Sequence, residues 1–355
     1  MNIDHLVQQG WMSVPLLRPD VALNLRDALL AELKLYPGVR SDENPFVHGI
    51  PRVLGGMIKS GHASMTYTTH HIRELARPKF FEVLQQIPDD TFRTFLDYRR
   101  PNHPQELACN PDAIFVSDAK PVRVPPGAVT TSDGLWWHVD ASRERSFLQA
   151  SIVLDNPDGS EQFGVVEKSH LHFDLLKSGA GARMHNDWFL LNSSEIEELE
   201  HIGCRQRFMQ FEPGTMVFWF SNTVHTVRPA QLLHIERPRV QTYVCFGVVP
   251  QPITERDLHM KVSAVLFGAT CRHLPYPCVP EWQMNIFENG TGPYQDVIFP
   301  NNWLPWVFGA NPSEDFTDER LSVYGITRED IRTVVETWET EFDDFKMLFS
   351  KRVMN

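Results

Sequence analysis

The sequence predicts an α+β fold, a β core flanked by helical segments, and three changes of texture predict it. Apolar residues recur at helical spacing before residue 113, and a helical stripe returns near the end of the chain. Between them, from 113 to 250, lie short runs rich in Val, Ile, Phe and Trp, broken by Pro, Gly, Asp and Asn. The implied organisation is an N-terminal helical region over 1–112 packed on the core, a core over 113–250 with an inserted segment at 168–204, and an irregular and helical C-terminal extension over 251–355. A chain of 355 residues with 42% hydrophobic content is long enough for one elaborated β domain with a sizeable core.

Taken in order, "PDVALNLRDALLAELKLYPG" reads as a helix with Asp20 as N-cap and Pro37-Gly38 as its stop. "THHIRELARPKFFEVLQQI" is helical by spacing, with Pro78 either starting a second helix or kinking the first, and His70 and His71 fall in it as structural residues. The strand-like runs of the core are 146–155, 163–167, 206–212 and 215–220, followed by "RVQTYVCFGVV" from Arg239. Pro238 cannot donate to a ladder, so that last strand starts after it. Within 168–204, "SSEIEELEHI" reads as a short helix. After a Pro-rich, irregular stretch, "TREDIRTVVETWETEFDDFKMLF" aligns Ile331, Val334, Val335, Trp338, Phe342, Phe345 and Phe349 as one packing stripe.

Charge and composition narrow the function. A formal net charge of −12 disfavours broad binding to nucleic acid or to an anionic membrane, both of which need a basic face, but leaves room for a small anionic ligand in one pocket. No run of about 18 apolar residues is present to span a membrane. The opening "MNIDHLVQQGW" lacks the basic and apolar regions of a signal peptide, so a reduced, cytoplasmic setting is expected. The five cysteines are scattered and imply no disulfide framework. Cys271 and Cys278 flank His273 but lack a C-x-x-C or H-x-x-x-H partner, and read as ordinary thiols. "NSS" at 192 and "NGT" at 289 match the glycosylation pattern but read as loop residues.

The chemistry lies in "LWWHVDASRERSFLQASIVLD", where His138 and Asp140 stand two apart behind paired tryptophans. A lone H-x-D is weak: about one is expected by chance among so many His and Asp residues, and the chain holds three, at His138-Asp140, His172-Asp174 and His185-Asp187. A facial triad of two His and one carboxylate needs a third ligand. In a double-stranded β-helix, or jelly-roll barrel, that ligand stands several strands downstream, on the neighbouring edge of the same mouth. His225, closing "PGTMVFWFSNTVHTV", is the candidate. Four strand-like runs separate it from Asp140, whereas two separate it from Asp174 or Asp187, too few to carry the chain round the barrel and back. Strand alternation in 146–155 puts Leu148, Ala150, Ile152 and Leu154 on a core face. It puts Gln149 and Ser151 among Phe147 and Val153 on the other, which suits a buried ligand site; a solvated face is the alternative. An anionic co-substrate would need a fixed cation, and Arg239, first residue of its strand and sharing a face with Gln241 and Tyr243, fits, with Arg237 as its rival.

Together these residues resemble the phytanoyl-CoA dioxygenase branch of the iron(II)/2-oxoglutarate-dependent dioxygenases. "QGWMSVPLLRPDVALNLRDALLAEL" resembles that branch's opening strand and helix, and "HHIRELARPKFFEVL" the helical segment before its barrel. "WWHVD" resembles its first metal motif, "SFLQASIVLDNPDGSEQFGVVEKSH" its next strands, and "FEPGTMVFWFSNTVHTV" its approach to the distal His. The likeness runs roughly from residue 8 to 250. The long segment 168–204 and the region after 250 depart from it, so no substrate, and in particular no acyl-CoA, carries over. The resemblance implies iron(II) on His138, Asp140 and His225, 2-oxoglutarate chelating that iron with its distal carboxylate on Arg239, and O2 as oxidant. A small molecule would be hydroxylated as 2-oxoglutarate becomes succinate and CO2. Related halogenases lack the carboxylate, so Asp140 points to hydroxylation or desaturation. A catalytically silent β-helix protein serving as a binding or structural component is the competing reading, and a cupin-type metal enzyme, which would dispense with Arg239, is a third. The segment 168–204 is read either as a cover near the barrel mouth or as a remote surface excursion.

Overall fold

A computed structural model describes residues 1–33, 57–58, 67–112, 114–117, 135–140, 146–180, 189–228, 239–250, 252–266, 273 and 317–341. The N-terminal part runs α1 (Ile3–Gln9), β1 (Trp11–Pro15), α2 (Pro19–Leu33), β2 (Met57–Ile58), α3 (Tyr67–Gln86) and α4 (Asp89–Phe95). The strands β3 (Leu107–Cys109), β4 (Ile114–Ser117), β5 (His138–Val139), β6 (Leu148–Asp155) and β7 (Gln162–Glu167) follow. Next come α5 (Phe173–Ala180), β8 (Phe189–Leu190), α6 (Ser193–His201), β9 (Arg205–Met209), β10 (Thr215–Phe220), β11 (His225–Arg228), β12 (Arg239–Val244) and β13 (Phe246–Val248). The C-terminal part holds α7 (Glu255–Leu266), α8 (Asp318–Val323) and α9 (Arg328–Glu341).

Helices and antiparallel sheets are mixed. One sheet has the order β1-β10-β6-β12-β4-β2, a second β8-β5-β11-β7-β9, and β13 pairs with β3. From β5 to β7 and from β9 to β12, consecutive strands pass from one large sheet to the other, so each pair of neighbours in space comes from distant sequence. The sheets meet through Trp11, Val153, Val217 and Trp219 of the first against Phe163 and Val165 of the second. On its other face the first sheet buries Leu148, Ala150, Ile152, Leu154, Phe218 and Phe220 against the helices, where the Phe80 ring of α3 packs at steep angles against Phe218 and Phe246. The alternation read in 146–155 therefore separates two different interiors.

Several local expectations are corrected. Asp20 is not the N-cap of α2: the helix begins one residue earlier at Pro19, whose fixed φ suits the first helical position, and the Arg18 carbonyl accepts from Ala22 N–H at 3.1 Å. Pro37-Gly38 lies outside the described residues. α3 runs unbroken through Pro78 rather than restarting there. β6 starts at Leu148, not 146, because Phe147 N–H is taken by Ser221 Oγ at 2.9 Å. β9 stops at Met209. "RVQTYVCFGVV" splits at Cys245 because its partners change, from β4 and β6 to β3. The stretch after 250 is not irregular throughout, since α7 forms there behind Thr254, whose Oγ1 accepts from Asp257 N–H at 3.1 Å. Of the last stripe, Val334 is buried in the core and Ile331 packs against it, while Phe342, Phe345 and Phe349 lie outside the described residues. Among the described residues no helix is long and apolar enough to cross a membrane.

The segment 168–204 also has more structure than a loop: α5, β8 and α6. Asn192 of "NSS" caps α6, its side chain accepting from Glu195 N–H at 3.0 Å while Glu195 accepts from Asn192 N–H at 2.8 Å. β8 joins the second sheet beside β5, with Leu190 opposite His138. It adds a short fifth strand to the four counted between Asp140 and His225. Gly181, Arg183, His185 and Trp188 lie outside the described residues.

Candidate metal centre

Strand pairing assembles the cluster. β5 and β11 are antiparallel neighbours with His138 directly opposite His225, and their ring centroids stand 4.2 Å apart. Asp140 leaves β5 with its N–H bonded to the Ser221 carbonyl at 2.9 Å, which ties it to the turn before β11. Its Oδ2 lies 3.2 Å from His225 Nε2 and its Oδ1 3.8 Å from His138 Nε2. Ligands about 2.0–2.2 Å from a shared ion would stand close to these separations. All three side chains are largely buried.

The far side of each imidazole fixes its tautomer. His225 Nδ1 faces the Thr223 carbonyl at 2.9 Å, and His138 Nδ1 faces the Trp136 carbonyl at 3.3 Å. A carbonyl can only accept, so each Nδ1 carries hydrogen and each Nε2 is the atom left to face the cluster and bind a metal. Trp136 stacks on His138, centroids 4.3 Å apart and planes 2° from parallel, and so holds the ring's orientation. Burial, reinforced by His225, pushes His138 down to about 3, so the imidazole is neutral at pH 7 despite Asp140 nearby. For Asp140 burial would raise the pKa, but His138 and then His225 outweigh it and hold the carboxylate well below its usual range. Two imidazoles with Nε2 turned inward and one carboxylate, converging within 4.8 Å, are the donor set that suits iron and related transition metals.

Behind the cluster, Gln149 of β6 donates from Nε2 to Asp140 Oδ2 at 2.9 Å. Ser151 is buried further along the same face, in register with Val217 and Tyr243. Arg239 opens β12 and is 2% exposed. Its Nη2 donates to Gln241 Oε1 at 2.8 Å, and Gln241 Nε2 donates to the Tyr243 hydroxyl at 3.0 Å. The guanidinium also lies 4.8 Å from the Phe115 ring centre, while its Nε and Nη1 are buried without a hydrogen-bond partner. Burial lowers the Arg239 pKa against the opposing pull of Glu161 and Tyr243. A buried guanidinium with donors unused is costly, and that cost is what an anion entering the space would relieve. Trp219 lies between the two groups, 5.6 Å from His225 and 6.3 Å from Tyr243.

No family model matches the chain, and no curated protein sequence matches it. Among solved structures it is similar to the non-heme α-ketoglutarate-dependent epimerase SnoN from nogalamycin biosynthesis in complex with Fe3+, α-ketoglutarate and nogalamycin RO. That match has TM-score 0.42 and 14% identity, over 72% of this chain and 87% of that one. It is also similar to EctD from S. alaskensis with bound Fe, with TM-score 0.42 and 15% identity over 70% and 75% of the two chains. The same enzyme with 2-oxoglutarate and 5-hydroxyectoine gives TM-score 0.41 and 13% identity, again over 70% and 75%. With TM-scores below 0.5, the site's own geometry carries the functional reading.

The structure thus gathers His138, Asp140, His225 and Gln149 into one cluster and sets Ser151 and Arg239 on the facing sheet. His172 and Asp174 stand apart at the start of α5, Asp174 exposed and paired with Lys177 at 3.0 Å. Arg237, His185 and Asp187 lie outside the described residues. Trp219 and Phe115 went unnoticed in the sequence, although strand alternation in "TMVFWF" and "IFVS" places them on the inner face.

Proposed function

We propose that this chain is an iron(II)- and 2-oxoglutarate-dependent oxygenase built on a double-stranded β-helix, oxidising a small molecule. One observation carries the reading: a His–Asp–His cluster and a buried arginine with two unused donors face the same space between two sheets. The strand alternation between those sheets supports the β-helix assignment, and the motif order from residue 8 to 250 supports a place near the phytanoyl-CoA dioxygenase branch.

When bound, iron(II) with 2-oxoglutarate and O2 supplies the oxidising power, yielding succinate and CO2. The chain's contribution is binding, orientation and exclusion of water. His138 and His225 offer Nε2 as the metal-binding atom, since their Nδ1 hydrogens are spent on carbonyls. Asp140, steadied by Gln149, adds one negative charge to the donor set. Arg239, held in place by Gln241, offers Nε and Nη1 to a carboxylate of the co-substrate, and its planar fork suits a two-point contact. Trp219, Tyr243 and Phe115 wall the space between with apolar rings and keep water out.

Adding iron(II) and then 2-oxoglutarate to the protein without oxygen tests the proposal. A visible metal-to-ligand charge-transfer band that needs both components is expected, and it should vanish in His138→Ala, Asp140→Ala and His225→Ala. Iron binding with no band on adding the keto acid would favour a metal protein that does without 2-oxoglutarate. No iron binding at all would favour the silent binding protein.

A further inference from the structure

A second set of ligating side chains forms where two neighbouring strand runs break at the same level. β3 ends at Cys109 and β4 resumes at Ile114; beside them β12 ends at Val244 and β13 resumes at Phe246. Phe246 pairs with Cys109 and Thr242 with Ile114, so the breaks face each other and Cys245 stands across from the turn that carries Asp112. α7 closes the third side. Its Lys261 donates to the Cys109 carbonyl at 2.6 Å and bonds Asn110 Oδ1, and beyond the helix His273 Nδ1 lies 2.8 Å from Asp112 Oδ2. Arg73 of α3 clamps the turn by donating to the Asp112 carbonyl at 3.2 Å.

We infer that Asp112, Cys245 and His273 form a second metal site, one for a divalent cation of the zinc class. A carboxylate oxygen, a sulfur and an imidazole nitrogen, each from a separate element, all lie within 4.8 Å of one another. Asp112 and Cys245 are each 2% exposed, and His273 is partly exposed, which leaves the side by which an ion and a fourth ligand would enter. Metal–ligand bonds of about 2.0–2.3 Å at tetrahedral angles place ligand atoms roughly 3.3–3.6 Å apart, so the Asp112–His273 contact opens by only about half an ångström on loading. Sulfur among the donors selects zinc-like ions over magnesium or calcium, and distinguishes this set from the all-nitrogen and oxygen set at His138, Asp140 and His225. Burial first, and then the neighbouring Asp112 carboxylate, raise the Cys245 thiol well above its usual range, so it keeps its proton until an ion is loaded. Loading replaces the S–H bond by a sulfur–metal bond, releases one proton to solvent and changes no oxidation state. The inference is independent of the iron and 2-oxoglutarate reading.

Titrating Co2+, a coloured stand-in for Zn2+, into the full chain tests it. Two equivalents are expected, one of them with the near-ultraviolet sulfur-to-cobalt absorption that a set lacking cysteine cannot produce. Zn2+ should displace the ion that gives this absorption. Cys245→Ser should abolish the absorption and weaken that equivalent by more than about 100-fold, beyond the usual loss of an outer-shell partner. His273→Gln, changed at a partly exposed position, should do the same with the fold intact, which guards against a folding defect in the buried Cys245→Ser. His138→Ala should remove the other equivalent and leave the absorption. A single equivalent without the absorption overturns the site and leaves a hydrogen-bonded Asp–His pair beside a thiol. An absorption that survives Cys245→Ser but disappears with Cys271→Ser or Cys278→Ser overturns it too, in favour of ligands close in sequence to His273.

Discussion

The residue that separates the candidate readings most sharply is Arg239. Its guanidinium is buried beside Phe115 and spends one donor on Gln241, leaving Nε and Nη1 for an anion. Removing a charge-assisted contact of this kind costs on the order of 2–5 kcal/mol of binding, roughly 30- to several-thousand-fold. Arg239→Ala should therefore weaken 2-oxoglutarate binding by that factor and leave iron affinity nearly unchanged, read by titrating the keto acid into iron-loaded protein without oxygen. Arg237→Ala should do little. A large loss in Arg237→Ala with none in Arg239→Ala would move the anion contact off β12. Gln149 works one step further back. Its Nε2 holds Asp140 Oδ2, which also faces His225 Nε2, so Gln149→Leu leaves the carboxylate unsteadied. Iron affinity should fall about 10- to 100-fold in calorimetric titration, the usual cost of losing an outer-shell partner. An unchanged affinity would mean that Gln149 serves the ligand space rather than the metal.

At the scale of elements, the site depends on how closely β7, β9 and β11 pack, and Gly164 is the test of that packing. A Cβ there would come within 2.7 Å of both Phe208 Cε1 on β9 and Thr226 Cγ2 on β11. Thr226 in turn donates to the Trp136 carbonyl, the group that orients His138. Gly164→Ala should thus destabilise the fold by about 1–3 kcal/mol, the range for overpacking, seen as a lowered urea midpoint. Because the strain falls on the strand carrying His225, iron affinity should drop as well; a stability loss with normal affinity would show that β11 yields without moving the site. The elements themselves were largely legible. β7 and β10 announce themselves by apolar runs between turn residues and α6 by the stretch "SSEIEELEHI", although its cap, Asn192, reads as a loop residue. β8 was not, because two residues carry no periodicity and are defined only by their partner β5. α7 was hidden by the proline-rich composition around it, although Thr254 and Asp257 are a start signal. The cluster was legible because strand count links His138 to His225. Asp112 and Cys245 meet through the coincident breaks of two strand runs, and His273, 161 residues from Asp112, reaches them from beyond α7, which no local pattern encodes.

Across the whole molecule, two buried histidines fasten the chain's extremities to its core, and both are kept neutral by burial. His70 in α3 meets the Tyr324 hydroxyl at 2.7 Å, 254 residues away, and Tyr324 also accepts from Arg73 at 2.9 Å; this network seats the C-terminal helices. His170 places Nε2 3.0 Å from the Val7 carbonyl of α1, while its neighbour Ser169 accepts from Val224 N–H at 2.8 Å, so the Ser-His pair that ends β7's turn is structural. Burial lowers His70 to about 3, helped by Arg73 and Arg320, and His170 to about 4, against the Val7 carbonyl. The unfolded chain takes up protons at both sites near pH 6.5, and the folded chain does so only below about 4. Between those limits the unfolded state binds more protons, so stability is full above pH 6.5 and falls as pH drops, approaching 1.36 kcal/mol per pH unit per histidine well inside the window. Equilibrium urea unfolding between pH 6.5 and 5 reads this slope while ordinary carboxylates remain ionised, and His138, held near 3 by burial, adds an equal share to it. His70→Gln should lower overall stability at pH 7 but flatten the pH slope over this window by about 1 kcal/mol per unit. An unaltered slope would mean that His70 is already protonated in the folded protein and that Tyr324 accepts its hydrogen bond rather than donating one.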